Sequence, residues 1–292
     1  MRSSGQDILL PERKKRSEPR SIFFEVSSTD RDRRTHKNTN DYRWHFPVPI
    51  KEVQQLRIIG GSIPKPIYNI DAPYNGFSMR IGMKRFDIII APGYYDAATL
   101  CEEITRQINA QNVPTQFLAA VDPVTGNFML SRTQGTLMFS LLFETGSYID
   151  IVDADTGGLL EPKSLATVLG FPPRQDVIDT GEGMIMSPLA VQLNDRINRI
   201  YLYLNYESSQ DLTVIRRGMG HKSPSLIIYM DQGDAAVKFL NKETYDIFVL
   251  SAPAPISRIG WLDVSFRDEY YRPVNFNGRE TSLLFEAVCY DY

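Results

Sequence analysis

Several residue types and patterns are scarce in this 292-residue chain, and each shortage argues against a class of protein. The two cysteines, Cys101 and Cys289, are too few and too far apart to predict a disulfide framework. The three histidines lie at no metal-site spacing from one another or from a cysteine, which argues against zinc. No run approaches the roughly 18 apolar residues of a membrane helix, and the first residues contain no apolar signal-peptide core. We therefore expect synthesis and assembly in a reducing cytosol.

Signatures of catalysis and of cofactor binding are lacking as well. The glycine-containing stretch 218–225 departs from a phosphate-binding loop, because His221 stands directly before Lys222 and Pro224 falls where a helix should begin. The acidic stretch 150–161 lacks the ligand spacing of a calcium-binding EF-hand, and no nucleophile elbow occurs. We expect no enzyme activity, no cofactor and no metal ion, with an acidic surface loop at residues 150–161.

The chain is rich in aromatic residues and proline, a mixture typical of short strands joined by many turns. It has fifteen Tyr, fifteen Phe and eighteen Pro. Apolar and polar residues alternate at 22–27, 42–46 and 262–267, which is the period of strands with one buried face. Further apolar runs occur at 199–206 and 281–290. Ten or more such strands predict a mainly β fold, an antiparallel jelly-roll-like β-sandwich.

One stretch near the middle predicts a helix instead. Asp96 can cap it, and Leu100, Cys101, Ile104 and Ile108 recur at spacings of three and four, which gives one apolar face. A strand hairpin and a short helix are predicted after it. This part of the chain should therefore mix one longer helix with short strands.

These patterns predict three regions. Residues 1–20 form a basic N-terminal arm, and residues 21–292 form the sandwich. The sandwich is interrupted by an inserted small α+β region at about 91–187, for which a separate second domain is the alternative.

Charge is concentrated at the N terminus. Residues 1–37 contain ten Lys or Arg and six Asp or Glu, a net charge of +4, which leaves −7 of the total of −3 on the remainder. Arginine forms bidentate hydrogen bonds with carboxylates and is enriched at protein interfaces, so an acidic protein neighbour would suit this segment. The alternatives are a solvated terminus and local Asp–Arg pairing. The candidate interface residues share a positive charge and a place in this segment: Arg13, Lys14, Lys15, Arg16, Arg31, Arg33 and Arg34.

Three stretches resemble proteins of one kind. Residues 21–70 place a short strand, an Arg/Asp-rich loop, an Asn-Asp-Tyr entry to an aromatic strand, and Pro47 in the order seen in the N-terminal region of minor capsid and penton-type virion proteins of large icosahedral nucleocytoplasmic DNA viruses. The stretches PGYYDAATLCEEITRQIN and SLATVLGF are similar to a module of virion proteins from that group. The tail FRDEYYRPVNFNGRETSLLFE resembles their final hairpin.

The resemblance implies a structural virion protein. Such a minor capsid component, a penton or a cementing protein, would bind the major capsid protein and other minor capsid proteins during assembly of an icosahedral shell in the host cytoplasm. A penton would be a homopentamer. The alternative is an internal virion protein that binds the DNA genome through its basic N-terminal segment. No stacking aromatics are interleaved in residues 1–21 and the body is acidic, so nucleic acid is the less favoured partner.

Overall fold

The structure is a computed structural model that describes residues 18–66, 68–72, 74–193, 199–206, 213–216, 219–222, 224–230, 237–241 and 247–290. For 213–216, 219–222 and 247–254 it describes the backbone alone. The elements are β1 (Arg20–Ser27), a 3-10 turn (Ser28–Asp30), β2 (Asp41–Pro64), β3 (Gly76–Ile81), β4 (Lys84–Ile89), α1 (Ala97–Asn109), β5 (Gln116–Val121), β6 (Asn127–Gln134), β7 (Phe139–Leu142), β8 (Ile151–Val152), β9 (Leu159–Glu161), β10 (Val177–Ile178), β11 (Met184–Ala190), β12 (Arg199–Tyr206), β13 (Thr213–Arg216), β14 (Met219–Lys222), β15 (Leu226–Tyr229), β16 (Val237–Asn241), β17 (Ile247–Arg267) and β18 (Ser282–Cys289).

One antiparallel sheet forms the main body of the protein. Its strand order is β1-β18-β2-β17-β12-β15, and β16 also pairs with β2. The strand β2 is 24 residues long and takes part in the sheet twice. Its residues 53–62 pair with β18, whereas its residues 41–51 pair with residues 258–265 of β17. The two halves of β2 therefore lie in different parts of the sheet.

The sheet curls so that these two parts face each other. Phe24 of β1 contacts Trp44 and Phe46 from the first half of β2, with ring centroids 6.0 and 4.9 Å apart. Phe24 also stacks on Phe285, its direct partner on β18, at 5.3 Å. A flat sheet would hold β1 and β2 two strand spacings apart, roughly 9.6 Å, so these contacts require two packed layers. The predicted mainly β sandwich is confirmed, and β1 pairs with β18 as strands near the two termini should.

The turn at Asn277-Gly278 is present, but it does not join two partner strands. Both residues have positive φ, 58° and 74°, as a tight turn with left-handed backbone requires. β18 follows this turn and pairs with β1 and β2 on its two sides, so it has no free edge for the preceding segment. That segment instead returns on the end of β17, where Val274 N–H donates to Phe266 O at 3.1 Å.

A second hydrophobic core is built from residues 70–193, between the end of β2 and the start of β12. It contains the sheets β10-β7-β3-β4 and β11-β6-β5 and the helix α1. The predicted helix is confirmed: Asp96 caps it, and Leu100, Cys101, Ile104 and Ile108 are its buried residues. Burial raises the pKa of the Cys101 thiol to about 12, and Cys289 is buried in the other core.

The helix α1 covers the edge of β5. The Asn109 side chain donates to Phe117 O and accepts from Phe117 N–H, both at 2.9 Å, as a neighbouring strand would. Thr105 Oγ1 accepts from Ala119 N–H at 2.9 Å. The β5 edge is therefore closed to further strand pairing.

The division into domains at about 91–187 stays a prediction. Because the second core begins at Ile70 and ends at Leu193, we propose wider bounds, 65–193, and call this segment the inserted region.

Arg272 joins the inserted region to the sandwich. Its Nε donates to Asp268 Oδ2 at 2.7 Å, and both side chains are buried. Its guanidinium carbon lies 4.4 Å from the ring centroid of Tyr74 and 5.0 Å from that of Tyr270. Its Nη1 reaches Pro162 O at 3.4 Å, so one side chain from the sandwich contacts two parts of the inserted region. These contacts connect the sandwich to the inserted region through one buried side chain.

Two adjacent glycines in β2 test the packing of the sheet. A Cβ on Gly61, which has φ of +150°, would lie 2.4 Å from Ser282 O, whereas one on Gly60 would meet nothing closer than 3.5 Å. We expect Gly61→Ala to lower the free energy of unfolding by more than about 2 kcal/mol, and Gly60→Ala to change it by less than about 1 kcal/mol. Urea denaturation measures both, and equal effects would contradict the pairing of β2 with β18.

Candidate protein interface

Arg31 lies in the loop between β1 and β2, and the structure turns its side chain inward. Its Nη1 donates to Glu280 Oε2 at 2.8 Å and to Ser28 O at 2.5 Å, and its Nε donates to His36 O at 3.1 Å. Only 7% of the side chain is exposed. Arg31 therefore holds its own loop against the segment before β18 and is not available to a partner.

Ser28 and Thr281 complete this attachment. Ser28 N–H donates to Thr281 O at 2.9 Å, and Thr281 N–H donates back to Ser28 Oγ at 2.8 Å. Ser28 Oγ donates to Glu280 Oε2 at 2.5 Å. Partial burial acts to raise the pKa of Glu280, but the hydrogen bonds from Ser28 and Arg31 outweigh it, so this pKa is lowered. The carboxylate stays charged and the loop stays attached at neutral pH.

Arg33 and Arg34 point outward from the same loop. Their side chains are 65% and 90% exposed. Arg34 forks Asp32, with Nε–Oδ1 and Nη2–Oδ2 distances of 3.1 and 3.2 Å, and this hydrogen bonding lowers the pKa of Asp32. Arg33 Nη2 lies 3.4 Å from Glu280 Oε1. The local Asp–Arg pairing considered as an alternative is therefore present at Arg34, and both guanidinium groups remain accessible.

We call Arg20, at the start of β1, the arm root. The arm root and the loop between β1 and β2 lie at opposite ends of the sandwich. Arg20, where the described chain enters β1, is paired with Cys289, and Ser27, at the other end of β1, is paired with Ser282. Eight strand residues span about 26 Å. Ser282 is also paired with Ser62, two residues before β2 ends, so the loop lies at the end from which the inserted region leaves. The candidates Arg13, Lys14, Lys15 and Arg16 lie outside the described residues.

A second accessible surface was not predicted from the sequence. It is the outer face of the sheet β11-β6-β5, where Leu118, Met184 and Met186 are 51%, 40% and 44% exposed. Leu118 and Met184 flank Ser131 on adjacent strands, and the next row is Ala120, Met129 and Met186. We call these six residues the methionine face. The sequence of β11 does contain a sign of this surface. Met184 and Met186 alternate with the buried residues Ile185 and Ser187, so β11 has few polar residues on either face. A strand of that composition is typically covered on both faces.

Two of the four carboxylates in the acidic stretch at 150–161 accept hydrogen bonds from nearby backbone N–H groups. Asp150 is buried and accepts from Lys163 N–H and Ser164 N–H at 2.5 and 2.7 Å. Asp153 accepts from the N–H groups of Asp155 and Thr156 at 3.0 and 2.8 Å. Within the part of the chain that the structure describes, no three His, Cys, Asp or Glu residues are grouped as a metal site would need. Among those same residues, no helix is long and apolar enough to cross a membrane.

Comparisons with known proteins give a partial family match and several distant structural likenesses, two of which are described here. A family model described as a family of unknown function (DUF5901) matches residues 12–151. A comparison with curated proteins finds no match. The mavirus penton protein is 10% identical with a TM-score of 0.41, over 93% of this chain and 100% of that one. A chain of the Sputnik virophage is 13% identical with a TM-score of 0.38, over 93% and 98%. At these values neither likeness assigns a role or a partner to this chain.

The Arg31–Glu280 attachment should make stability depend on acid. Because the pKa of Glu280 is lowered from its ordinary value of 4.5, its contribution is present above that pH and is lost as the pH falls through the lower folded-state value. We expect Glu280→Gln to melt below the unmodified protein at neutral pH, with the difference in Tm shrinking as the pH falls below the ordinary pKa of 4.5. Thermal melts across pH measure this difference. A constant difference would mean that the Glu280 charge does not hold the loop.

Proposed function

We propose that this protein is a structural component of an icosahedral virion shell. In this proposal it is a minor capsid protein, a penton or a cementing protein, that binds the major capsid protein and other minor capsid proteins and catalyses no reaction. The sequence resemblance at residues 21–70, in the middle and in the tail supports this class. The structural observation that carries the proposal is the pair of exposed arginines, Arg33 and Arg34, held out on a rigidly attached loop.

The attachment of the loop matters for binding. Arg31, Ser28 and Glu280 hold its base, so Arg33 and Arg34 are presented from a backbone that is already ordered. Binding to a preordered loop loses less conformational entropy than ordering a free one. Arginine pairs bidentately with carboxylates, so an acidic surface on a neighbouring shell protein is the partner that fits. Assembly in the host cytoplasm belongs to the same proposal.

Exchanging the two exposed arginines tests the proposal. We expect Arg33→Glu with Arg34→Glu to abolish incorporation into shells, because like charges would then face an acidic neighbour. The isolated fold should lose no more than about 2 kcal/mol, since the pairs of Arg33 with Glu280 and of Arg34 with Asp32 are exposed ion pairs worth about 0–1 kcal/mol each, and a urea melt of the variant checks this. The measurement is the amount of variant in shells assembled with the capsid partners. Arg31 is left unchanged, because its inward side chain supports the loop and its loss would confound the result.

A matched control is Lys51→Glu with Lys84→Glu, which makes the same change in net charge at two exposed lysines elsewhere. This control should still enter shells. If the arginine variant also enters shells normally, the loop is not the contact. If the arginine variant enters shells but loses salt-dependent DNA retention, the genome-binding alternative gains over the capsid role.

A further inference from the structure

The methionine face is an apolar surface without a covering element among the described residues. Its two rows, Leu118–Ser131–Met184 and Ala120–Met129–Met186, have no charged member. The opposite side of the same sheet packs in the second core through Phe117, Phe128 and Ile185. Methionine side chains adapt their shape to a partner and are common at surfaces that bind peptides.

An acidic residue lies beyond each row of the face, and we call these two residues the acidic rim. Asp122 lies in the turn after β5, beyond the row of Ala120, and Glu182 lies just before β11, beyond Met184. Residues 65–193 contain fourteen Asp or Glu and eight Lys or Arg, a net charge of −6. Two methionine faces from two copies would bring like charges together. The occupant that fits is a segment that combines apolar side chains with positive charge.

The N-terminal arm of this chain has that chemistry. Residues 1–17 contain five Lys or Arg and two Asp or Glu, a net charge of +3. Their one run of consecutive apolar residues is Ile8, Leu9 and Leu10, and the basic residues 13–16 follow after Pro11 and Glu12. An apolar triplet next to a basic cluster matches an apolar face with an acidic rim.

The position of the arm root favours docking of the arm on the methionine face of a second copy of the chain. The arm joins β1 at the end of the sandwich away from the inserted region. The eight Cα-to-Cα steps from Leu10 to Glu18 reach about 26–29 Å when fully extended. Folding back along its own β1 would use about 26 Å of that length before the inserted region began. The apolar triplet can contact the inserted region of a neighbouring copy without first running back along β1.

We propose that Ile8, Leu9 and Leu10 of one copy dock on the methionine face of a second copy, with the basic residues 13–16 toward its acidic rim. The inference rests on the proposed function in treating the arm as an assembly element, and it names the partner of that arm. The contact joins unlike surfaces, so it is heterologous and closes into a ring or extends as a chain according to the rotation between copies.

The test is self-association of the full-length protein, measured by sedimentation velocity up to roughly 100 μM at low salt. The face variant is Met184→Glu with Met186→Glu, and the arm variant is Leu9→Glu with Leu10→Glu. We expect the unmodified protein to associate and each variant alone to lose at least about tenfold in association constant. The matched control is Val48→Glu with Met83→Glu, which also adds two negative charges. Val48 and Met83 are 78% and 99% exposed and lie outside the methionine face, so this control should associate normally.

Mixing the two variants is the decisive step. The face variant keeps an intact arm and the arm variant keeps an intact face, so an equimolar mixture should form a hetero-dimer although each variant alone associates only weakly. Serine replacements at Met184 and Met186 repeat the experiment should the glutamate variant melt early. A monomeric unmodified protein, or a mixture that stays monomeric, would overturn the proposal. Loss of association from the face variant alone, with the arm variant unaffected, would instead show pairing of two faces.

These outcomes are separable from those for shell incorporation. The arm and face variants leave Arg33 and Arg34 intact, and the arginine variant leaves the arm and the face intact. A protein that enters shells through its loop without self-associating would refute the arm contact and keep the capsid role.

Discussion

The double use of β2 is the constraint on which the rest of the structure depends. A single 24-residue strand contributes to both layers of the sandwich, so the layers are joined through one backbone. The strand changes layer near Glu52, whose φ of 53° is costly for a residue with a side chain. Tyr290 N–H donates to Glu52 O at 3.1 Å there, so the bend is stabilised by the end of the closing strand. This bend lets the two layers of the sandwich pack against each other and enclose the core.

The alternation of residues along the chain predicted the strands and the helix because both depend on local spacing. It did not predict the length of β2, since the alternation extends only over residues 42–46 and is followed by Pro47 and Pro49. The described pairing of this half of β2 is on one side only, with β17, so a missing proline N–H breaks no ladder on its open edge. Proline is therefore tolerated inside this strand, and the apparent break was a sign of an edge.

The different roles of the arginines in the loop between β1 and β2 could not be predicted from local sequence, for a different reason. Arg31, Arg33 and Arg34 are equivalent by composition, but Arg31 is paired with Glu280, 249 residues away in sequence. That pairing exists because β1 and β18 are neighbours, which brings the loop after β1 against the segment before β18. The sequence shows only that these arginines are clustered, and tertiary contacts decide that Arg31 supports the loop while Arg33 and Arg34 face outward.

The junction at Arg272 connects the geometry of the sandwich to that of the inserted region. Its ion pair with Asp268 and its contacts with Tyr74 and Tyr270 are made in a buried setting, where removing one partner would leave an uncompensated charge. Asn275 Nδ2 also donates to Asp71 Oδ2 at 2.6 Å across the same junction. Arg272 and Asn275 therefore join the inserted region, which bears the methionine face, to the sandwich, which bears the arm root. In an assembly joined from arm to face, the angle set at this junction would determine the rotation between successive copies, and with it whether the assembly closes.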